Sequence, residues 1–330
     1  MAISALVTGG NGFVGSHVVR ALRARGDRVR VLARPGADLR ALAGVEYELI
    51  SGDLRQSAQL DEAVKDCAEV YHVAADYRLW VPDPAPMYAT NVEGTRNLIA
   101  AARRHGVGRL VHTSTVGALG VPAGGIGNET SPVALADMIG PYKRSKFMAE
   151  QLALAAAREG MPVVVVNPST PVGALDYKPT PTGRIIADFL GRRMPAYLDT
   201  GLNLVNVEAC ALGHLLAAQH GAIGHKYILG GENLTLQQLF ARLERLSGVP
   251  APRVRLPYPA VFGYAVGADL VARLTGRPPR ASLTEVRMAH KRMFFDSAKA
   301  IRELGYQPGV LDDALRAAIQ YYRESGAAPR

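Results

Sequence analysis

Short apolar runs alternate with stretches of helical periodicity through the first half of the chain. Residues 3–8, 27–33, 47–54, 70–75, 110–112 and 162–167 are such runs, the pattern of strands buried on both faces. Between them, segments such as 16–25 and 149–159 place apolar residues three or four apart, as amphipathic helices do. Strand and helix in regular alternation predict an α/β fold with a parallel sheet covered on both sides. After Pro168 frequent prolines cut the pattern into short helices and loops, which predicts a separate lobe. Residues 203–207 and 226–229 read as short strands that could return to the sheet. The expected division is therefore 1–167, with returning segments near 203–225, and a smaller lobe over 168–330. Residues 259–274 are apolar, with Arg255, Arg273, Arg277 and Arg280 around them. The expectation there is a lobe helix packed on the core, with a membrane-resting patch or a substrate tunnel wall as alternatives.

Composition changes this picture little. The chain has 330 residues, 48% hydrophobic and 20% charged, as an ordinary globular protein does. No apolar run approaches the ~18 residues needed to span a bilayer. The N-terminus lacks the basic lead of a signal peptide. Cys67 and Cys210 offer no metal spacing and no disulfide framework, so buried thiols, a cytoplasmic location and no metal are expected. The net charge of +9 is carried mostly by scattered arginine, without the aromatic-interleaved basic runs of nucleic-acid binders. A phosphorylated cofactor, an anionic substrate or weak membrane-surface association remain as reasons for it.

Chemistry enters with Gly9-Gly10-Asn11-Gly12-Phe13-Val14-Gly15, lying between the first strand and the first helix. Glycines 9, 12 and 15 allow a tight turn and close approach to a pyrophosphate, held on the N–H groups where the helix starts at Phe13 and Val14. The second strand ends in Ala33-Arg34, with Arg40 nearby, where an acid would bind a 2′-hydroxyl. A cation without an acid predicts a 2′-phosphate, hence NADP, with NAD as the alternative. Asp53, before Leu54 at the end of the third strand, is expected to face the adenine or to cap the next helix. Ala74 and Ala75 are small enough to let the cofactor pass close. His72 reads as a packed strand residue. Gly94 within a helical segment suggests close packing.

The organising pair is Tyr142 and Lys146, one helical turn apart and on one face. An ammonium there, joined by a nicotinamide cation, would lower the phenol from its usual ~10 and let it exchange a proton with a carbinol. Thr113-Ser114-Thr115 ends the fifth strand, and the loop carrying Asp76, Tyr77, Arg78 and Trp80 leaves the fourth. Loops at these strand ends line the site, so they are substrate-facing candidates.

These segments resemble an extended short-chain dehydrogenase/reductase of the NAD-dependent epimerase/dehydratase group. The likeness rests on GGNGFVG at 9–15, GDL at 52–54, HVAA at 72–75, NVEGTRN at 91–97, HTST at 112–115 and YKRSK at 142–146. The chain is most similar to the dihydroflavonol-reductase-like branch. Within it, TGGNGFVGSHVVRAL and FDSAKAIRELGYQP resemble the hopanoid-associated sugar epimerases. The resemblance implies a Rossmann-type doubly wound sheet over 1–167 and a mixed α/β substrate lobe. It implies Tyr142 as acid/base, Lys146 on the nicotinamide ribose, and Thr115 (or Ser114) on the reacting oxygen. Asn91 would support the backbone and a proton-relay water, and Pro168 and Ser169 would flank the nicotinamide. A homodimer is the family-like assembly. Sugar-nucleotide epimerases usually carry LRxxNxxG after the sixth strand; here VVVVNPSTPVG puts Asn167 and Thr170 at the Arg and Asn places. Both are expected on the substrate side, and direct reduction of a sugar, cyclitol or lipid-like ketone fits as well as epimerisation. Asp76, Glu129 and Asp137 are the weak candidates for a second base. The alternative from another class is a sensor that binds NADP without turnover.

Overall fold

The apolar N-terminal run forms strand β1 (Ser4–Thr8), buried from its second residue onward because both faces of the sheet are covered. The computed structural model describes residues 3–326 apart from 278 and 280. After β1 come β2 (Arg28–Ala33), β3 (Glu48–Ser51), β4 (Glu69–His72), β5 (Arg109–Thr113) and β6 (Val163–Pro168). The later strands are β7 (Thr170–Val172), β8 (Ala196–Leu198), β9 (Gly201–Asn206), β10 (Lys226–Leu229), β11 (Glu232–Thr235) and β12 (Val254–Leu256). Seven of them form one parallel sheet in the order β3-β2-β1-β4-β5-β6-β10. The order reverses between β1 and β4, so a crevice opens at their C-terminal ends, where ligands of such sheets bind.

Helices cover both faces. On one side α1 (Phe13–Ala24) packs through Val18, Val19 and Leu22. On the other lie α2 (Ser57–Val64), the short α3 (Ala85–Tyr88) with the π-turn 89–93 that follows it, α4 (Gly94–Arg104) and α5 (Gly140–Arg158). Leu60, Leu98 and Ala153 anchor that second layer. Close packing is the reason for glycine at 94: a Cβ there would lie 2.9 Å from Cβ of Leu54. Gly140 holds φ at +80° and Pro141 starts α5, which puts Tyr142 in the first turn of the helix.

The chain beyond Pro168 serves both layers. Helix α6 (Pro181–Leu190) belongs to the lobe, whereas α7 (Val207–His220) returns to pack beside α1 through Cys210, Ala211 and Leu215. Of the two expected returning strands, 226–229 joins the large sheet beside β6 as β10. The other, β9, instead pairs with β7 and β11 in a separate three-stranded sheet. The lobe core is built by α6, α8 (Leu236–Ser247) and α12 (Leu311–Glu324), with Phe189, Phe240 and Leu315 at its centre. Helices α9 (Tyr258–Thr275), α10 (Leu283–Ala289) and α11 (Ala298–Leu304) complete the chain order before α12.

Helix α9 corrects the sequence reading. It packs on α10, but Tyr264, Val266, Leu270, Val271 and Leu274 are all exposed, so its apolar length is not a core face. Periodicity alone does not say which side of a helix that is apolar nearly all round meets the core. Of the arginines named around it, Arg280 lies outside the described residues.

Candidate active site

The glycine loop is shaped by contacts that only glycine permits. Gly9 has φ +69°, and a Cβ on it would lie 2.6 Å from Cα of Ala74, at the end of β4. A Cβ on Gly15 would lie 2.0 Å from the Gly9 carbonyl oxygen. The Gly12 N–H donates to that same oxygen at 2.9 Å and closes the turn. Gly12 also caps α1, with no side chain accepting from the helix start and no acid in the first turn. The N–H groups of Phe13, Val14 and Gly15 therefore lack intrahelical partners and form an anion site that fits a pyrophosphate.

Around the loop the lobe closes in. The Tyr177 hydroxyl donates to the Asn11 carbonyl at 3.0 Å, and His17 Nε2 bonds the Ala174 carbonyl at 3.1 Å. At the end of β2, Arg34 is exposed and makes no ion pair among the described residues. Arg40 is engaged by Asp38 at 2.9 Å and lies over the Tyr177 ring. Asp53 does not cap α2. Both its oxygens accept from Arg55, the shorter contact 2.6 Å, and this pairing holds its carboxyl below the usual range, with Arg34 adding a smaller pull. Leu54 offers its carbonyl to Asn97 at 3.0 Å and its side chain to Gly94. Ala75, half-buried like Ala74, follows it from β4 into the crevice.

A buried chain of hydrogen bonds runs from β1 to α5. Burial, then the charge of Lys146, pushes the His72 imidazole down to about 3, so it is neutral. Thr95 donates its hydroxyl proton to the Asn91 carbonyl at 2.7 Å, so it accepts from His72 Nε2 at 2.8 Å. His72 Nδ1 then accepts from the Thr8 hydroxyl at 2.8 Å. Asn91 is buried, and its Oδ1 accepts from the Asp76 N–H at 2.7 Å. Its amide donates to the Asp76 carbonyl and to Ser145 Oγ, each at 2.9 Å. Ser145 in turn donates to the Tyr142 carbonyl at 2.8 Å. Asn91 thus ties the loop after β4 to the first turn of α5. Both its amide protons go to protein partners.

Lys146 is buried and donates to the Thr113 carbonyl at 2.6 Å. Burial lowers its ammonium to about 8, with Glu150 pulling the other way. Tyr142, on the rim, is pushed up to about 12 by burial, and the neighbouring Thr115 hydroxyl offsets part of this. The ammonium of Lys146 is turned to the Thr113 carbonyl, and among the described residues no hydrogen bond joins it to the phenol. Thr115 is extended at φ −162° and accepts from the Gly117 N–H at 3.0 Å. Asn167 is fully buried and does not face substrate. Its amide donates to the Thr115 carbonyl at 3.1 Å and to Glu150 at 2.7 Å, which fixes Thr115 from behind. Thr113 is also occupied: its hydroxyl donates to His214 Nε2 at 3.1 Å, because His214 Nδ1–H donates to the Cys210 carbonyl at 2.7 Å.

Two hydroxyls at the strand ends, Ser114 Oγ and Ser169 Oγ, are buried without a hydrogen-bond partner among the described residues. Both hydroxyls are free to bond a ligand or a water. They lie just past β5 and β6, at the C-terminal ends of strands in the parallel sheet. Pro168 closes β6 and is buried, Ser169 N–H donates to the Leu229 carbonyl at 3.1 Å, and Thr170 opens β7 half-buried. The glycine cradle and these orphans together fit a nicotinamide dinucleotide.

The NAD dependent epimerase/dehydratase family matches residues 5–230 of the chain. The chain belongs to that family. Its members are enzymes, and the family places this protein among NAD-dependent oxidoreductases and epimerases of sugar-like and related substrates. A Synechocystis sp. protein provisionally named a dihydroflavonol 4-reductase is 42% identical over 99% of this chain and 96% of its own. The sterol demethylase protein B of Methylococcus capsulatus is 35% identical over 98% of this chain and 99% of its own. The crystal structure of gox2253 superposes with a TM-score of 0.88 at 47% identity, covering 98% of this chain and 99% of that one.

On the substrate side of this family enzyme, the loop acids hold structural partners. Asp76 pairs with Arg78, whose contact holds its carboxyl low against the effect of burial. Glu129 accepts from the Ile228 N–H at 2.9 Å and Asp137 from the Ala134 N–H at 2.8 Å. Tyr77 is exposed and donates to the Lys178 carbonyl at 3.3 Å, bridging to the lobe, while Trp80 is half-buried beyond it. Sequence reasoning missed Glu150, His214, Tyr177 and Lys143. Glu150 had a signal, four residues after Lys146 on one helix face. The others are brought in by long-range packing: Lys143 is half-buried near Met293, and burial, then Lys291, lowers its ammonium to about 8.

Proposed function

We propose that the protein is an NADP-linked reductase that delivers hydride and a proton to a ketone on a lipid-like substrate. The observation that carries this reading is the site's acid–base inventory. Tyr142 is a phenol held protonated beside Thr115, and each loop acid that might serve as a second base is engaged elsewhere. A proton donor without a second base disfavours epimerisation through loss of an α-proton and suits direct hydride transfer to a ketone. The bound dinucleotide supplies the hydride. Tyr142 gives its hydroxyl proton to the carbonyl oxygen, and Thr115, braced by Asn167, donates a hydrogen bond to the same oxygen. Lys146, held on the Thr113 carbonyl at 2.6 Å and one helical turn from Tyr142, would supply positive charge to a bound dinucleotide. The names of the two relatives, a flavonol-type reductase and a sterol-modifying protein, support an apolar polycyclic substrate.

Arg34 supports NADP. It is exposed at the end of β2, where no acid competes for the ribose, and it is unpaired among the described residues. Arg34→Ala is expected to weaken NADP⁺ binding by roughly tenfold or more, as for a lost charge-assisted contact. NAD⁺ affinity should not change. Calorimetric titration with both dinucleotides reads this, and equal losses for both would remove Arg34 from the 2′-phosphate.

The pH dependence has a definite sign. Reduction uses the phenol proton and the Lys146 ammonium. As pH rises the ammonium is lost first, near 8, while the phenol keeps its proton to about 12. The reduction rate is expected to fall as pH rises through about 8. Lys146→Met should be slow and should lack that limb; Lys143→Met should keep it. A limb that survives Lys146→Met assigns it to another group.

A further inference from the structure

Helix α9 turns its apolar side outward. Gly263, Tyr264, Gly267, Leu270, Val271 and Leu274 recur at three- and four-residue steps and share one face. All six are exposed, Leu270 at 62% and Leu274 at 79%. The acid of this helix, Asp269, faces the other way, where its Oδ1 accepts from the Leu283 N–H at 3.1 Å at the start of α10. A helix facing water normally does the opposite.

The charge around it is one-sided. Between 253 and 292 the sequence has eight arginines and lysines against two acids, a surplus of six out of the chain's nine. The excess of positive charge is therefore concentrated in this stretch. Arg253, Arg277, Arg287 and Lys291 are exposed, and Arg255 and Arg292 share the single acid Asp199. An apolar helix face flanked along the chain by exposed cations complements an anionic lipid surface. A second copy of the chain on a two-fold axis would bring the same cations against themselves. Among the described residues no helix is long and apolar enough to cross a membrane, so α9 would lie in the surface plane.

The hairpin of α9 and α10 is joined to the site. A Cβ on Gly140, at the start of the catalytic helix, would lie 2.6 Å from Cγ2 of Thr284 in α10. Just beyond α10, Met293 Sδ lies 3.9 Å from Lys143 Nζ, on the residue after Tyr142. We infer that α9 docks the enzyme on an anionic bilayer surface and sets the mouth of the active site against it, so that substrate enters from lipid. Only the substrate half of this rests on the ketone-reductase reading.

Flotation with phosphatidylcholine–phosphatidylglycerol vesicles tests it, using wild type, a Leu270→Glu/Leu274→Glu variant and Tyr142→Phe. Wild type should float with mixed vesicles at low salt, much less with phosphatidylcholine alone, and be released as salt rises. The double variant should bind vesicles on the order of tenfold more weakly per leucine, while keeping wild-type NADP⁺ affinity and oligomeric state. Tyr142→Phe should float like wild type whatever its activity, which separates failure of docking from failure of the catalytic reading. Wild type that stays soluble at low salt, or a double variant that floats equally, overturns the inference. So does a double variant that dissociates a wild-type dimer, because the face would then be covered by a second copy.

Discussion

Tyr142→Phe is expected to lower hydride transfer by roughly a thousandfold, the usual worth of a positioned proton donor, while leaving NADP⁺ affinity unchanged. The reasoning is narrow because the substitution removes one oxygen. The ring keeps its place in the first turn of α5, and the ties from Ser145 to the Tyr142 carbonyl and from Asn91 to Ser145 involve no phenol atom. Phenylalanine cannot protonate a carbonyl oxygen. The nearest hydroxyl, on Thr115, is already an acceptor for the Gly117 N–H and has no acidity comparable to a phenol. Single-turnover oxidation of NADPH, with a ketone that the wild type accepts, measures the effect. Loss of cofactor binding together with turnover would mean that the ring shapes the cofactor site. Full turnover in the variant would remove Tyr142 from the chemistry and favour a non-catalytic dinucleotide binder.

Asn91→Leu is expected to destabilise the protein by about 3–5 kcal/mol. Three partners would lose their bonds at once: the half-buried Asp76 N–H and carbonyl and the buried Ser145 Oγ. Leucine fills similar volume, so the loss measures unsatisfied polar groups rather than a cavity. In a chain of this size that corresponds to a fall in melting temperature of roughly 4–7 °C. Turnover should drop beyond what stability explains, because Asn91 sets the loop after β4 against the first turn of α5. Thermal unfolding monitored by circular dichroism reads the first effect. A melting temperature equal to the wild type would mean that these bonds are replaced by water at no cost.

The fold was legible where one local rule acts alone. Six apolar runs are parallel strands, the inner ones because burial on both faces demands such runs; β3, at the sheet edge, leaves Leu49 exposed. The glycine loop was legible for the same reason: Gly9 and Gly15 sit where a Cβ would strike backbone. The step from Tyr142 to Lys146 showed that the two share a face, but not where the ammonium points, because the Thr113 carbonyl that captures it comes from another strand. Asn167 illustrates the same limit. Its place at the end of β6 suggested a substrate contact, yet alternation on the strand turns it inward to Glu150 and the Thr115 carbonyl. Helix α9 was misread because composition gives apolarity without direction. The site is best described as a legible skeleton whose hydrogen-bond partners are supplied by long-range packing.

Cofactor exchange tests the central claim most directly, since it needs no knowledge of the substrate. A reductase must release oxidised dinucleotide at every turnover, whereas an epimerase returns the hydride and can keep one dinucleotide throughout. The measurement is the dinucleotide content of the protein as purified, followed by loading with NADP⁺ or NAD⁺ and gel filtration. The account predicts little retained cofactor, rapid exchange and tighter rebinding of NADP⁺ than of NAD⁺. Stoichiometric NAD⁺ that survives purification and gel filtration would contradict it and identify a self-contained epimerase.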